Sequence, residues 1–367
     1  MSKIYRALLV GLGGIAAAHV RAAQATEGRV EIVAAIDVDG QRAREFESQF
    51  GIPASTMPYA DALRQVRPDL VIIAAPPGLH AAMSIAAMEA GAWAWCEKPL
   101  CASLAEIDEI AAAERRTGCF TSCVFQMRFA SSAAHLRHLL DEGALGRPLV
   151  AACNTLWYRD PAYYSVPWRG KWSTELGGPT MSQGIHAMDL LLHLLGDWAE
   201  VRAMAATLDR AIEVEDVSLA MIRFASGAHA SVMNSVLCPR QETYLRLDCQ
   251  RATIELTYLY AYTCSDWRFT PAADLPDQGG ELVRRWNAAP PDVGSTHGAQ
   301  LSELVRSMDA HQAPLTSGPQ ARHTLELLTA IYKSALTERP VARDSIQPGD
   351  PFYTSLHGGQ APWRPCA

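Results

Sequence analysis

The sequence lacks a surplus of basic residues, since 39 aspartates and glutamates outnumber 32 lysines and arginines and the formal net charge is −7. Proteins that bind nucleic acid through phosphate contacts carry a basic face, and anionic membrane surfaces attract polybasic segments. Because the chain has neither feature, we expect no nucleic-acid partner and no membrane partner.

Long apolar runs are also missing. No window holds about 18 uninterrupted apolar residues, the length that a membrane-spanning helix requires, and no cleavage site follows the short apolar stretch near the N-terminus. We therefore expect a cytoplasmic protein. The nine cysteines are scattered and none forms a Cys-x-x-Cys pair. They predict mostly buried thiols and neither a disulfide framework nor a zinc knuckle.

The first third of the chain alternates short apolar segments with longer segments of helical spacing. Continuous apolar runs of this length are typical of strands buried on both faces of a parallel sheet. The pattern predicts a doubly wound α/β domain of the Rossmann type over residues 1–125. Its predicted strands are 4–10, 30–36, 70–74, 92–96 and 119–125, and its predicted helices are 15–26, 40–50, 81–90 and 104–116.

The pattern changes after residue 125. Strands that follow one another without helices between them favour a mostly antiparallel sheet, so residues 126–345 are predicted to form an α+β domain. Residues 346–367, rich in proline and glycine, are predicted to be an irregular tail. The predicted strands are 149–157, 201–208, 217–224, 229–237, 244–248 and 252–257, and the predicted helices are 133–142, 183–195, 300–311 and 319–338.

A glycine-rich turn joins the first predicted strand to the first helix. Residues 11–16 have the form G-x-G-x-x-A, in which Gly11 permits a tight turn and Gly13 lets the backbone approach a pyrophosphate. The helix N-terminus then offers unpaired N–H groups to the phosphates. We expect Gly11, Gly13, Gly14 and Ile15 to contact a dinucleotide.

An acidic residue ends the second predicted strand, 24 positions after Gly13. At that place a carboxylate accepts hydrogen bonds from the adenosine ribose and repels a 2′-phosphate. Asp37 therefore favours NAD over NADP. The alternative is a Rossmann-like fold in which the glycines serve packing alone.

The fourth predicted strand of the sheet ends in Glu97-Lys98-Pro99. In open α/β sheets ligands bind beyond the carboxyl ends of the strands, which would place Lys98 beside a nicotinamide ring. Taken alone, the same residues could be a solvated lysine before a proline that starts a helix.

Further motifs accompany these. Ala75-Pro76-Pro77 and His80 follow the third strand, Gln126-x-Arg128-Phe129 and Trp168-Arg169 come later, and Gly177-Gly178-Pro179 precedes His186-x-x-Asp189. Together with the glycine turn, Asp37 and Glu97-Lys98-Pro99, these motifs resemble the Gfo/Idh/MocA family of sugar and cyclitol dehydrogenases. The resemblance runs from residue 4 to about residue 342.

The resemblance implies a Rossmann domain joined to a domain with a large open sheet, through which family members often form dimers or tetramers. It implies that Lys98 and His186 are catalytic residues at an interdomain cleft. It implies that the cofactor is approached by Ala75, Pro76, Pro77, His80, Glu97, Lys98, Gln126, Trp168 and Arg169. For the substrate it implies Lys98, Arg128, Ser182, His186 and Asp189.

The sequence departs from the family pattern at two positions. The family often has an aspartate four residues before the histidine, where this chain has Ser182, and often a third glycine where this chain has Pro179. The serine removes a negative charge that would help to hold Lys98 and substrate hydroxyls. This weakens a simple inositol-dehydrogenase assignment and leaves the oxidoreductase assignment intact.

Oxidation of an alcohol requires a base for the hydroxyl proton. His186 is the favoured base because its reference pKa lies near the working pH, with Lys98 stabilising alkoxide charge. Lys98 is the alternative base, since a nearby cationic nicotinamide would lower its pKa. Asp189 could contact substrate or orient His186. His193 lies on the same predicted helix, but without a Cys or Glu partner we expect no metal site.

Aromatic residues interspersed with Arg and Lys fill residues 157–172. Such surfaces suit polyhydroxylated rings, whose C–H faces stack on aromatic side chains, and Tyr158 is the predicted substrate contact among them. The leading hypothesis is an NAD-dependent dehydrogenase of a sugar, glycoside or cyclitol. An NADPH-dependent keto-sugar reductase and a non-catalytic NAD(H) sensor or scaffold remain the alternatives.

Overall fold

The computed structural model describes residues 3–360, apart from the side chains of Asp277 and Gln278. It divides into two compact units. The first comprises the chain up to Val124 together with Thr296–Arg322, and the second comprises Phe125–Ser295 together with the chain from His323. Within the described residues no helix is long and apolar enough to cross a membrane.

The N-terminal part alternates strands and helices, as predicted. Its strands pair only in parallel, in the order β3-β2-β1-β4-β5-β6, which confirms the Rossmann-type sheet. The elements are β1 (Tyr5–Val10), α1 (Ala16–Gln24), β2 (Val30–Ile36), α2 (Gly40–Phe50), β3 (Ala54–Ser55), α3 (Tyr59–Val66), β4 (Leu70–Ile73), α4 (His80–Glu89), β5 (Trp93–Cys96), α5 (Leu104–Thr117) and β6 (Thr121–Cys123).

The apolar runs of β4 and β5 are buried at every residue, because helices cover both faces of a sheet of this kind. The carboxyl ends of β2, β1, β4 and β5, which are neighbours in the sheet, lie along one edge. That edge carries Asp37, Gly11, Ala75 and Lys98 in the order of the strands.

A second sheet dominates the rest of the chain. Its eight strands lie in the order β13-β12-β11-β7-β10-β9-β8-β14, and every pairing is antiparallel except that of β7 with β10. The elements are α6 (Ser131–Asp141), β7 (Pro148–Tyr158), α7 (Pro179–Ser182), α8 (Ile185–Leu195), β8 (Trp198–Ala206), β9 (Val217–Phe224), β10 (His229–Ser235), β11 (Leu237–Cys249), β12 (Ala252–Tyr258), β13 (Trp267–Pro271), α9 (Gly280–Asn287), α10 (His297–Ala310), α11 (Gly318–Thr337), β14 (Val341–Ala342) and α12 (Pro351–Thr354).

Burial alternates along β9, with one side of the strand in the core and the other exposed. Met204, Leu219 and Met221 are among the exposed apolar side chains, and Met221 is 69% exposed. The large and mostly antiparallel sheet is confirmed. Its proposed role in oligomer formation stays a prediction.

The division of the chain differs from the predicted boundary at α10. This helix was assigned to the second domain because it follows the second sheet in sequence, but it belongs to the first unit. Leu301, Leu304, Val305 and Met308 share one face of α10 and lie in the same buried cluster as Val20 of α1. The apolar face at helical spacing therefore covers the Rossmann sheet.

The predicted irregular tail has local structure. Asp350 accepts the Phe352 N–H at 2.9 Å and so caps α12, and Ile346, Phe352 and Leu356 are buried. Residues 361–367 lie outside the described residues, and Cys366 with them. The other eight cysteines are free thiols, five of them buried.

Candidate functional site

The glycine turn after β1 has the geometry that its motif predicts. Gly11 has a φ of +90°, and a Cβ there would lie 2.5 Å from the Ala74 carbonyl oxygen, so no other residue fits. At Gly13 and Gly14 a Cβ would meet no atom within 4 Å. Among the described residues, no hydrogen bond uses the N–H groups of Gly13, Gly14 or Ile15. The turn thus leaves space and free donors, which suit a pyrophosphate.

Asp37 at the end of β2 is bound to this turn. One carboxylate oxygen accepts the Leu12 N–H at 2.7 Å and the other accepts the Asp39 N–H at 2.8 Å. Each oxygen keeps acceptor capacity, because a carboxylate has about four lone-pair sites. Asp37 can therefore hold the turn and still accept ribose hydroxyls.

His80 is buried at the start of α4, and its predicted cofactor contact stays a prediction. Its Nδ1 lies 2.7 Å from the Pro99 carbonyl oxygen and its Nε2 lies 2.7 Å from that of Ala75. Burial lowers the pKa of His80, although the two carbonyls act in the opposite direction. His80 therefore lies between the loop that carries Pro76 and Pro77 and the Lys98-Pro99 turn, whose peptide bond is cis, and its neutral ring donates its single N–H to one of the two carbonyls.

Glu97 lies between two histidines that the sequence analysis did not identify. Its Oε1 is 3.0 Å from His19 Nε2 and 3.5 Å from His297 Nε2, while Oε2 accepts the Lys98 N–H at 3.3 Å. Burial raises the pKa of Glu97, but the hydrogen bonds of the two histidines outweigh burial and hold it well below its usual range. An ionised carboxylate thus lies beside the Lys98 backbone.

The same three residues are, in the part of the chain that the structure describes, the one group whose ligand atoms lie within 4.8 Å of one another as a metal ion requires. A histidine that binds metal through Nε2 donates the Nδ1 proton to a neighbouring acceptor. His19 Nδ1 is buried against Trp95 and has no partner among the described residues. This geometry favours a proton on Nε2, donated to Glu97, over a metal ligand.

In the second unit, Glu215 accepts hydrogen bonds from the segment that leads to Ser182 and His186. Its carboxylate accepts the N–H of Gly178 at 2.9 Å and that of Thr180 at 3.0 Å. A Cβ at Gly178 would lie 1.8 Å from the Glu215 carbonyl oxygen. Burial raises the pKa of Glu215 to about 7, against these hydrogen bonds. Gly178 is therefore required by close packing on Glu215, whereas Gly177 packs closely on Tyr332.

The helix predicted over 183–195 is interrupted. α7 ends at Ser182 and α8 begins at Ile185, and between them Gly184 packs so closely on Asn234 that a Cβ would lie 2.0 Å from its Oδ1. Ser182 Oγ lies 2.8 Å from the Gly178 oxygen and 2.5 Å from Gln183 Oε1. Ser182 therefore belongs to α7, and His186 belongs to α8.

Asp189 and Arg128 pair with each other inside the second unit. Arg128 Nε and Nη2 donate to the two Asp189 oxygens, each at 2.5 Å, and Thr324 Oγ1 adds a bond of 2.8 Å. Asp189 is fully buried and the Arg128 side chain is 5% exposed. The two side chains thus satisfy each other's charge inside the unit, and their predicted contacts with the substrate stay predictions. Gln126, on the same turn as Arg128, differs: its buried Oε1 has no partner among the described residues.

The aromatic segment 157–172 is organised around Tyr163. Arg169 stacks on the Tyr163 ring at 3.9 Å and on the Trp168 ring at 4.2 Å, and its Nη1 bonds the Tyr163 hydroxyl and, at 3.1 Å, Glu175. Gln183 Nε2 donates to the same hydroxyl at 3.3 Å. Tyr163 thereby links the Trp168-Arg169 pair to the segment of Ser182, a role for which the sequence holds no local signal. Tyr158 is 39% exposed.

The predicted residues therefore form two sets. In the first unit, Gly11, Asp37, Ala75 and Lys98 share the carboxyl edge of the parallel sheet. In the second unit, Ser182 is joined through Gln183 and Tyr163 to Arg169.

A parallel sheet whose first strand ends in an open glycine turn, followed by an acid at the next strand, defines an NAD-binding Rossmann domain. Residues 5–125 match the model of an oxidoreductase family with an NAD-binding Rossmann fold, and residues 133–255 match the GFO/IDH/MocA C-terminal domain. The chain belongs to the Gfo/Idh/MocA family, and it is an NAD-binding oxidoreductase.

Named relatives match over almost the full chain. D-apiose dehydrogenase of Paraburkholderia graminis is 27% identical over 97% of this chain and 94% of its own. 1,5-Anhydro-D-fructose reductase of Ensifer adhaerens is 25% identical over 90% of this chain and 96% of its own. The WlbA dehydrogenase of Chromobacterium violaceum, in complex with NADH and UDP-GlcNAcA, superposes with a TM-score of 0.81 at 28% identity, covering 94% of this chain and 97% of its own.

Proposed function

We propose that the protein interconverts a secondary alcohol and a ketone on a sugar-like substrate, with NAD as hydride acceptor or donor. The single observation that carries this proposal is the open glycine turn with Asp37 beside it, on a chain whose relatives act on sugars. The relatives D-apiose dehydrogenase and 1,5-anhydro-D-fructose reductase support a sugar-like substrate. Their names also support both directions of the reaction, oxidation of the alcohol and reduction of the ketone.

The residues of the first unit fit a dinucleotide. The space at Gly13 and Gly14 and the unused N–H groups suit the pyrophosphate, and Asp37 suits the ribose hydroxyls. In the second unit the buried Gln126 Oε1 has an acceptor site that a carboxamide N–H would satisfy. The nicotinamide, when bound, supplies the hydride chemistry.

His186 accepts the hydroxyl proton in the oxidation direction, because imidazole is the side chain best matched to proton transfer near neutral pH. Lys98 donates to the substrate oxygen and stabilises its negative charge. The ionised Glu97 fixes the backbone from which Lys98 projects, through the 3.3 Å bond to the Lys98 N–H. Lys98 as the base is the alternative, and the pH profiles of the two variants separate the assignments.

The test is hydride transfer followed at the nicotinamide absorbance across a panel of sugars, polyols and keto-sugars, with NAD and NADP compared. Loss of a general base costs about 10²–10⁴-fold in rate, so His186→Asn and Lys98→Met should each lose at least about 100-fold in kcat. Exposed residues provide matched controls: His229→Asn and Lys3→Met should retain full activity, since His229 and Lys3 are on the surface.

Three results would count against parts of the proposal. Full activity in His186→Asn would exclude His186 as the base. Tight NAD binding without turnover of any panel member would favour the sensor or scaffold, whose one supporting feature is Ser182 in place of the family's usual aspartate. A preference for NADP would favour the reductase alternative. The cytoplasmic location and the homo-oligomer remain predictions from the sequence.

A further inference from the structure

Arg159, at the end of β7, differs from the other arginines around the aromatic segment. Arg169 pairs with Glu175, Arg210 with Asp209 and Arg240 with Glu242. Arg159 has no carboxylate partner within ion-pairing distance among residues 3–360. Its positive charge is therefore not neutralised by the protein.

The contacts of Arg159 hold it without a carboxylate. Its guanidinium carbon lies 4.9 Å from the centre of the Trp157 ring and 5.1 Å from that of the Tyr163 ring. The acceptors of its Nη groups are neutral, namely the Tyr158 carbonyl at 2.9 Å and, at 3.4 Å each, Gln241 and the Tyr260 hydroxyl.

The Nε donor of Arg159 is unused, because it is buried and has no partner among the described residues. A guanidinium carries five N–H donors, and an unpaired charge that is partly withdrawn from water is costly. Aromatic faces that orient a guanidinium while its charge stays uncompensated are a suitable receptor for an anion.

Tyr163 connects Arg159 to the segment of the proposed base. The ring that Arg159 faces belongs to the tyrosine whose hydroxyl accepts from Gln183 Nε2 at 3.3 Å. Gln183 follows Ser182 and precedes His186 by three residues. All of these residues belong to the second unit, so Arg159 and the proposed base share one compact unit.

We propose that Arg159 binds an anionic group on the substrate, so that the protein acts on acidic sugars such as uronates or sugar phosphates. This inference rests on the proposed function. The sugar ring packs against the aromatic side chains, and the carboxylate or phosphate replaces the neutral acceptors of Arg159 with charge-assisted hydrogen bonds. The exposed Tyr260 makes only a 3.4 Å bond to Arg159 and can yield it to an anion.

The test measures binding and turnover separately, on the NADH- or NAD-saturated protein, with matched sets of a hexose, its uronate and its 6-phosphate over several stereoisomers. Calorimetry should show the preferred acid bound about 10- to 100-fold more tightly than its neutral partner, the range expected of hydrogen bonds to a charged group. Comparison of the affinities for the uronate and for the 6-phosphate of the same hexose shows which anionic group the site prefers.

Arg159→Met should abolish that preference and leave the weak binding of neutral sugars unchanged, and Arg159→Lys should restore part of it. Arg240→Met is the matched control, because Arg240 lies on the adjacent strand β11, is 86% exposed and is paired. Rising salt should weaken binding of the acids only. If Arg159→Met does not fold, Arg159→Gln is used in its place, because it keeps a polar N–H donor and removes the charge.

The outcomes distinguish this inference from the function it rests on. Equal affinity for acids and their neutral partners, or a preference that survives in Arg159→Met, would overturn the anion subsite even if sugars are oxidised. An Arg159-dependent preference for acids without hydride transfer would keep the subsite and count against the dehydrogenase.

Discussion

The buried pair of Asp189 and Arg128 gives a prediction that separates a structural role from a substrate contact. Asp189→Asn keeps the shape of the side chain but leaves the Arg128 charge without its partner. The wild-type carboxylate accepts two bonds of 2.5 Å from Arg128 and one of 2.8 Å from Thr324, with no solvent exposure. Removing one partner of such a pair costs about 3–5 kcal/mol.

A loss of this size is large for a unit of about 200 residues, in which 1 kcal/mol moves the melting temperature by about 2–4 °C. We therefore expect Tm to fall by about 10 °C in Asp189→Asn. Circular dichroism melts of the NAD-saturated protein measure the shift. At a temperature well below both transitions, KM should stay within about twofold of wild type, because Asp189 does not reach the surface.

The control is Asp141→Asn, which removes an exposed i, i+4 partner of Arg137 and should cost no more than about 0.5 kcal/mol. The double variant Arg128→Met/Asp189→Leu should recover most of the lost stability, since apolar replacement of a buried ion pair is often neutral or better. An unchanged Tm together with a tenfold rise in KM would refute this reasoning and restore Asp189 as a substrate contact.

Two glycines of the nucleotide turn should respond differently. Gly11→Ala should destabilise the first unit, because its Cβ would lie 2.5 Å from the Ala74 oxygen at a φ of +90°, and a lower Tm without NAD checks this. Gly13→Val should melt as wild type without NAD but bind NAD at least about tenfold more weakly, since the space at Gly13 is empty of protein atoms; equal affinity would contradict a pyrophosphate there. Burial lowers the pKa of His193 to about 4, below its unfolded value of about 6.5. The stabilisation of the folded state by neutral His193 is therefore complete above pH 6.5, and up to about 3 kcal/mol of the free energy of unfolding is lost as the pH falls towards 4. The urea midpoint should therefore fall less between pH 7 and pH 5 in His193→Gln than in the wild type.

The parallel sheet was predictable because each strand buried on both faces leaves a continuous apolar run in the sequence. β3 was missed because it has two residues, Ala54–Ser55, too few for any periodicity. α3 was missed with it. The position of α10 was not predictable either, because its apolar face at Leu301, Leu304 and Met308 indicates a buried helix without indicating which sheet it covers.

The site residues divide in the same way. The positions of Gly11, Asp37 and Lys98 at the edge of the sheet were predictable because each lies within two residues of the end of a strand, so local order along the chain determines its place. His19 and His297 meet Glu97 over separations of 78 and 200 residues. Contacts of that kind arise from tertiary packing and leave no pattern in a single sequence.

A family motif identifies positions, and only burial and hydrogen bonding reveal what each position does. His80 and Asp189 belong to motifs as distinctive as the glycine turn, yet their polar atoms are engaged by protein: two carbonyls for His80, Arg128 and Thr324 for Asp189. A fully bonded and buried group has little left to offer a ligand without breaking what it holds. Residues that can still form hydrogen bonds, such as Asp37 and Arg159, are therefore the stronger candidates for ligand contact, because a ligand that binds there breaks no protein hydrogen bond of comparable strength.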